Sequence, residues 1–435
     1  MSGSRAAVGY WLARDTHTVS RALDLDGDAL RALASRRLRV LLAAATRAPF
    51  HAARMRDAGL SRAHALRDSE LAAALAALAP VTKRELRDAG AAAFEGGRIS
   101  DAWFSSLSSG SSGEPFRVHY TPRAWATLKY LVKLRSRHAS GMRLSDRVAI
   151  LDAVAQEHEG SSPLERAGRV RRISVFRPAA EVAAALAAFR PDVIYALPSA
   201  LLEVARVSDG GAPRGHARHI FTSGELLTAA ARSTIERAFG AELRDVYGTS
   251  ETKEIAWECS AGSRHVNADV VLAEILADDG TAAPAGAEGN IVVTLLVNSA
   301  MPLVRYRTGD RGAILPGRCS CGRASPLLGV VTGREADVLE LPDGSTRSPY
   351  SLTMLLERIP SLVQYQVVQT ERDSLRVTAI AARDANRDEL SRSIANALRS
   401  DLPPDVHVEV VVADQLARCA RAKIRVVHPL PRTAQ

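Results

Sequence analysis

Between residues 147 and 239, short apolar runs alternate with stretches whose apolar residues recur at helical spacing. No other property of the chain limits its fold as strongly. Arg147 to Leu151 reads as a buried strand, Glu181 to Phe189 as an Ala-rich helix and Asp192 to Ala196 as a strand. Ser199 to Val207 then reads as a helix, His219 to Thr222 as a strand and Thr228 to Phe239 as a helix. Strands separated by helices of about ten residues cannot close as tight hairpins; they form a parallel sheet whose faces the helices cover. Upstream, Leu30, Leu33, Ala34, Leu38, Leu41 and Leu42 define an amphipathic helix, and more helix follows through Ala72 to Leu78. Residues 1 to 25 are weakly patterned. After Gly289 the texture changes: Asn290 to Val297 and Leu303 to Arg307 read as strands separated by turns. Past Arg334 come two strands (Gln364 to Gln369, Ser374 to Ile380), a helix (Arg387 to Leu398) and a strand (His407 to Val412). The expected fold is therefore α/β. A large N-terminal domain of parallel α/β sheets, residues 1–333, carries a β-rich subdomain over about 258–333, and a small α+β domain follows over 334–435.

Charge excludes less than it first suggests. The formal net charge is +9 over 435 residues, but it is spread along the chain. Lys83, Lys129, Lys133, Lys253 and Lys423 are the only lysines, so 57 − 5 = 52 of the basic residues are arginine. The densest basic run, Arg166 to Arg172, lacks interleaved aromatics for base stacking, which argues against a nucleic-acid partner. No apolar run reaches the roughly 18 residues of a membrane span. The N-terminus lacks the order of a signal peptide. Four cysteines in 435 residues are too few for a disulfide scaffold and suit a reducing cytoplasm.

Several short segments carry chemistry. Ser108-Ser109-Gly110-Ser111-Ser112-Gly113-Glu114-Pro115 offers free backbone N–H groups and four hydroxyls, the material of a cradle for β- and γ-phosphates. Taken alone it reads equally well as a Ser/Gly linker. Ser223-Gly224-Glu225 follows a strand, and Tyr247-Gly248-Thr249-Ser250-Glu251 follows another and ends in a hydroxyl beside a carboxylate suited to Mg²⁺. Tyr306-Arg307-Thr308-Gly309-Asp310 ends a strand with an acid able to accept from ribose hydroxyls, and Gly333-Arg334 marks the last change of texture. Sites at the carboxyl ends of strands are where α/β sheets bind nucleotides. Cys259, His265, Cys319 and Cys321 form a second set, three thiols and an imidazole suited to a closed, structural Zn²⁺ site; buried free cysteines are the alternative. Cys419 stands apart. His119, His138, His158 and His216 have no partner spacing and read as surface or capping groups.

The order of Ser108–Pro115, Tyr247–Glu251, Tyr306–Asp310, Gly333-Arg334 and a late Lys423 resembles the adenylate-forming superfamily of acyl-CoA synthetases and adenylation domains. The phenylacetate-CoA ligase-like branch, which includes coenzyme F390 synthetase and CapK-type proteins, is the most similar. Ala48-Pro49-Phe50, Leu78 to Lys83, Leu197-Pro198-Ser199, Trp257-Glu258-Cys259 and His265-Val266-Asn267 support the resemblance. It implies an ATP- and Mg²⁺-dependent ligase that converts an aryl or other small carboxylic acid to an acyl-adenylate with release of pyrophosphate. The acceptor would be CoA, a carrier-protein thiol, an amine or a hydroxyl. Ser108 to Gly113 would be its phosphate loop, and Ser223, Gly224 and Glu225 the segment beside adenine. Tyr247 would stack on adenine, with Gly248 beside it; Ser250 would contact the α-phosphate and Glu251 would hold Mg²⁺. Asp310 would bind ribose, Arg334 would mark the domain junction, and Lys423 would act in adenylation from a mobile C-terminal domain. The implied protein is cytoplasmic and a monomer or homodimer, with a structural zinc.

Three departures qualify that implication. Glu114 stands where relatives often carry lysine, and Ala336 where they carry an acidic hinge. Leu341 to Pro349 replaces a Gly-rich loop used in thioester formation, which leaves CoA open as the acceptor. Nucleotidyl transfer without CoA, as in F390 synthetase, and a non-catalytic nucleotide-binding module remain the alternatives. The acid pocket is expected between the Arg190–Ala205 region and Tyr247–Trp257, with Trp257 and Tyr130 either facing an aromatic acid or packing in the core.

Overall fold

The computed structural model describes residues 2–107, 116–152, 167–207, 216–329, 331, 333–334, 337–347, 349–356, 358–382, 384–416 and 425–430. The chain divides into two compact units, Met1–Gly141 with Val246–Val331, and Met142–Asp245 with Thr332–Gln435.

In the second unit the alternating segment does what its pattern dictates. Strands Val148–Asp152, Val170–Ser174, Val193–Ala196 and His219–Ser223 lie parallel, in the order 219–223, 193–196, 148–152, 170–174. Helices Ala179–Phe189 and Pro198–Val207 connect three of them, and helix Ala229–Phe239 follows the strand at 219–223. Leu151, Ile173, Ile194 and Ile220 from the strands pack with Val182, Leu186, Leu201, Val204, Ile235 and Phe239 from the helices. Burying each such side chain contributes about 1.5–3 kcal/mol. Two helices end in left-handed residues, Gly240 at φ 65° and Arg190 at φ 52°; only the glycine takes that conformation without strain.

The unit's other stretch forms a sheet of strands Leu362–Glu371, Ser374–Ala381, His407–Ala413 and Val427–His428. The 362–371 and 374–381 strands pair as an antiparallel hairpin, and the outer two pair in parallel with them. Helix Arg387–Arg399, capped by the Asn386 side chain, places Leu390, Ile394 and Leu398 against Val367, Leu375 and Val377.

The first unit is mixed helix and antiparallel sheet. Strands Val271–Leu276, Gly289–Leu295 and Tyr306–Gly312 form a meander. Strands Lys253–Glu258, Arg264–Val266 and Leu327–Leu328 pair in antiparallel sequence. Val118, Tyr120, Leu128, Ile255, Val271, Ile291 and Val293 share one core. Two charge clusters are buried with it. Asp269 takes Arg135 at 2.6 Å and Arg37 at 3.0 Å, and Glu254 takes Arg137 at 2.5 Å. Arg135 and Asp269 are only 1% and 3% exposed, so removing Asp269 would strip the buried Arg135 of its carboxylate, a loss of about 3–5 kcal/mol.

Three elements differ from the sequence expectation. The weakly patterned N-terminus is a helix, Ser2–Arg21. Polar tertiary contacts hold it: Asp15 accepts from Arg123 at 2.7 Å, and the Val19 carbonyl accepts from Arg135 at 2.8 Å. It therefore needs little apolar periodicity. The strand expected over 303–307 begins only at Tyr306, because Arg305 is left-handed (φ 53°) and turns its guanidinium to the Ala76 and Leu78 carbonyls. His119, expected at the surface, is buried edge-on against Phe94 at 5.1 Å, and burial lowers its pKa.

Candidate active site and metal centre

Strand Glu242–Thr249 and strand Lys253–Glu258 are antiparallel neighbours joined by Ser250, Glu251 and Thr252. The turn is tight for reasons written in its residues. Thr249 Oγ1 accepts from the Thr252 N–H at 3.1 Å. Lys253 is left-handed at φ 64°, which brings its carbonyl over Gly248. A Cβ at residue 248 would lie 2.1 Å from that backbone oxygen, so only glycine fits. Gly248→Ala should therefore destabilise the protein by about 1–3 kcal/mol and shift the turn. Thermal unfolding of the variant checks this, and an unchanged melting temperature would contradict it.

The turn is pinned from outside by Tyr120, whose hydroxyl donates to the Glu251 carbonyl at 2.7 Å. The Ser250 carbonyl, 3.1 Å from the same hydroxyl, accepts from Lys253 Nζ at 2.6 Å. Glu251 is 6% exposed. Its carboxylate lies 3.8 Å from Lys83 Nζ and is hydrogen-bonded by the Tyr306 phenol. Burial and then the Glu251 charge push the Tyr306 phenol well above its ordinary pKa, so it stays a donor.

Lys83 and Tyr306 arrive together because Val81 pairs with the start of the 306–312 strand. The Val81 N–H donates to the Arg305 carbonyl, and the Arg307 N–H donates to the Val81 carbonyl. A capping box between Thr82 and Glu85 then starts the Lys83–Asp88 helix. Tyr247 is buried in the core with its hydroxyl donating to Asp310 Oδ2 at 2.8 Å. Gly309, at φ 79°, turns the chain so that Asp310 faces Tyr247. Tyr247 thus meets Asp310 from a strand of another sheet, and the charges of Glu251 and Asp310 both act on the Tyr306 phenol.

The remaining expected nucleotide residues are placed as follows. Ser223 and Gly224 are exposed at the end of strand His219–Ser223 in the second unit. Beside them, the Glu225 carboxylate accepts from the Ser199 N–H at 2.9 Å and hydroxyl at 3.0 Å. Gly333 and Arg334 form a two-residue strand. Ser108, Ser109, Gly110, Ser111, Ser112, Gly113, Glu114, Pro115, Ala336, Cys419 and Lys423 lie outside the described residues, as do His158 and the start of the basic run at Arg166. Two residues near Glu251 took no role from the sequence: Lys83, although it closes the Leu78 to Lys83 segment, and Lys253. Their signal was scarcity, since both are among five lysines in a chain with 52 arginines.

Lys253 stands in an aromatic corner. Its ammonium lies 5.1 Å from the Tyr120 ring centroid and 5.7 Å from that of Trp125, and donates to Ser106 Oγ at 2.7 Å. Burial, then the charge of Lys129, lowers its pKa to about 8 against the opposing pull of Glu251.

The cysteine–histidine set is assembled. One ligand atom from each of Cys259, His265, Cys319 and Cys321 lies within 4.8 Å of the others. Cys259 Sγ is 3.6 Å from Cys319 Sγ, and Cys321 Sγ is 3.2 Å from His265 Nε2. Bonds of about 2.3 Å to a tetrahedral ion put sulfurs about 3.8 Å apart, so the donor set fits zinc. Burial pushes the Cys259 thiol up to about 11. Burial also opposes ionisation of Cys319, but hydrogen bonds from Ser263, the Cys321 N–H and His265 outweigh it and bring that thiol down to about 6. Trp257, one of the two aromatics considered for the acid pocket, is 1% exposed and packs against this cluster, 5.9 Å from His265. Tyr130 is 38% exposed.

A structure of 2-hydroxyisobutyryl-CoA ligase in the postadenylation state, in complex with R3-HIB-AMP, matches 94% of this chain and 91% of its own with a TM-score of 0.73 at 19% identity. An anthranilate-CoA ligase in complex with anthranoyl-AMP matches 75% of this chain and 67% of its own with a TM-score of 0.56 at 18% identity. The fold is that of the adenylate-forming ligases.

In sequence the chain is 29% identical over 245 residues to a phenylacetate-coenzyme A ligase of Thermus thermophilus, covering 54% of this chain and 53% of the relative. It is 29% identical over 290 residues to the Aromatoleum evansii enzyme of the same name, covering 61% and 62%. It is 23% identical over 184 residues to protein CapK of Staphylococcus aureus, covering 41% and 39%. The matched segments thus span 53% and 62% of these two ligases. The resemblance to the phenylacetate-CoA ligase-like branch read from the motifs is the one these relatives carry. No protein-family model matches the chain. No described helix is long and apolar enough to cross a membrane.

Proposed function

We propose that this chain is an ATP-dependent ligase that activates a carboxylic acid. One carboxylate oxygen bonds to the α-phosphorus, the bond from that phosphorus to the bridging oxygen breaks, and pyrophosphate leaves with the electron pair. The observation that supports this best is the contact of Tyr247 with Asp310, together with the action of both Asp310 and Glu251, the residue after Ser250, on the Tyr306 phenol. A carboxylate approaching a phosphate brings anion onto anion, so the protein must supply cations and donors in fixed places.

In this reading Glu251 holds Mg²⁺, which when bound offsets phosphate charge. Lys83 and Tyr306 hold the carboxylate in place. Asp310 accepts from ribose, and Ser250 donates to the α-phosphate. Ser108 to Gly113 supply N–H groups to the outer phosphates, Ser223 to Glu225 flank the adenine, and Lys423 joins from a C-terminal domain that begins at Arg334. Cys259, His265, Cys319 and Cys321 hold a structural zinc, consistent with a reducing, cytoplasmic setting.

The segment after Arg334 favours keeping the acceptor open. Leu339–Glu340 and Thr346–Arg347 pair as a short hairpin through Leu341 to Ser345 rather than forming a Gly-rich loop. The acceptor is thus CoA, a carrier thiol, an amine or a hydroxyl, with direct nucleotidyl transfer as the second reading.

Acid-dependent exchange of labelled pyrophosphate into ATP, across a panel of aryl and alkyl acids, tests the first step. Adding CoA and looking for thioester tests the second. Exchange with no acid in the panel would overturn the reading. Lys423→Ala should cut exchange to background with an unchanged circular dichroism spectrum; full exchange in that variant would remove Lys423 from the mechanism.

A further inference from the structure

The sequence leaves the expected phosphate loop short of positive charge. Between Ser108 and Pro115 the one charged residue is Glu114, an acid. A cradle for a triphosphate built from that segment alone would rely on N–H and hydroxyl donors against an added negative charge. The described residues next to the segment show where cations gather. Ser106, two residues before it, accepts from Lys253 Nζ at 2.7 Å. Phe116, the first residue after it, has Lys83 Nζ 6.0 Å from its ring centroid. Both lysines also act on Glu251: Lys83 sits 3.8 Å from its carboxylate, and Lys253 interacts with it electrostatically.

Around Lys253 the construction is specific. Trp125 is stacked on Phe104, with centroids 5.2 Å apart and planes within 11°. The same indole carries two ammonium groups, Lys129 at 4.4 Å and Lys253 at 5.7 Å. Lys129 is exposed, Trp125 and Lys253 are half-buried, and Tyr120 closes the far side. The two ammonium groups act on each other, and the Lys129 charge adds to the burial that lowers the Lys253 pKa. Lys253 also holds a left-handed backbone at φ 64° that Gly248 must accommodate. Strain of this kind collects where a side chain has a task. Within the described residues its ammonium uses two of its three N–H donors, on the Ser250 carbonyl and Ser106 hydroxyl. Those two contacts fix its position between the turn that carries Glu251 and the start of the Ser/Gly segment.

We propose that Lys253, with Lys129 behind it on the Trp125 ring, is a polyphosphate-binding cation that receives the outer phosphates of the nucleotide and then the pyrophosphate. This rests on the acid-activation reading above. A compact ammonium suits the task better than a guanidinium, because a point charge with rotatable donors can follow a phosphate chain as its bond breaks.

The probe is inorganic pyrophosphate with Mg²⁺, titrated calorimetrically into the full chain and used as the varied substrate in exchange. Lys253→Gln should weaken pyrophosphate binding and raise its KM by about tenfold or more, while the KM for the acid stays within about twofold. Lys253→Arg should recover part of the affinity, and Lys129→Gln, on the outer face of a helix, should lose about threefold. The wild-type affinity should also fall more steeply with salt than that of Lys253→Gln. Unchanged pyrophosphate binding and KM in both Gln variants would overturn the assignment, even with exchange intact. Lys253-dependent pyrophosphate binding without exchange on any acid would instead sink the acid-activation reading and leave this site standing.

Discussion

Glu251→Gln should lower acid-dependent pyrophosphate exchange by about 100- to 1,000-fold, the loss seen when one preorganised electrostatic group is removed from a site where charge develops. Gln keeps the shape of the side chain, and its amide oxygen still accepts from the Tyr306 phenol. What disappears is the charge, and with it a hard anionic ligand for Mg²⁺. Lys83 would then stand 3.8 Å from a neutral amide in place of a carboxylate. The Mg²⁺ concentration for half-maximal exchange should rise at the same time. Because Glu251 is 6% exposed and its backbone carbonyl stays bonded to Tyr120, the turn should survive and the melting temperature should move little. Exchange within about threefold of the wild type, under saturating Mg²⁺, would remove Glu251 from the ion site.

The second large effect concerns the cysteine–histidine cluster. Native protein should carry about one zinc per chain, measured by elemental analysis after exhaustive dialysis. Cys319→Ser should lose that metal and lower the melting temperature by at least about 5 °C, equivalent to roughly 2 kcal/mol for a unit of this size. Two thiols and an imidazole would remain, buried with no ion to pair with. Folded protein without zinc in the native preparation, and a Cys319→Ser variant as stable as the parent, would make the four residues ordinary core side chains.

The alternating α/β segment was legible because its elements are held by burial on one face, and burial leaves a period in the sequence. Ala179–Phe189 and Ala229–Phe239 fall within a few residues of where their periods put them. The Ser2–Arg21 helix was not legible, since Asp15 and the Val19 carbonyl hold it through arginines more than 100 positions away. No local pattern encodes such a partner. The same holds at the site. Tyr247, Glu251 and Asp310 announce themselves as hydroxyls and acids beside glycine after strands, and the four metal-type ligands by residue type. Lys83, at the end of the Leu78 to Lys83 segment, and Lys253 took no role from the sequence; they join Glu251 through the pairing of Val81 with strand Tyr306–Gly312 and through a left-handed turn. For Trp257 the sequence left pocket and core open, and its 1% exposure places it in the core.

The buried ion clusters have a consequence for how the chain is made. Arg37, Arg135 and Arg137 belong to the first 141 residues, and their carboxylates, Asp269 and Glu254, to the stretch after residue 245. During synthesis from the N-terminus, three guanidiniums destined for the interior emerge more than a hundred residues before anything can neutralise them. Burying them unpaired would cost several kcal/mol each, which favours a solvated opening segment while the intervening α/β segment is being made. Arrival of Asp269 is then the event that lets the first segment close. Arginine placement thereby sets an order of assembly along the polypeptide.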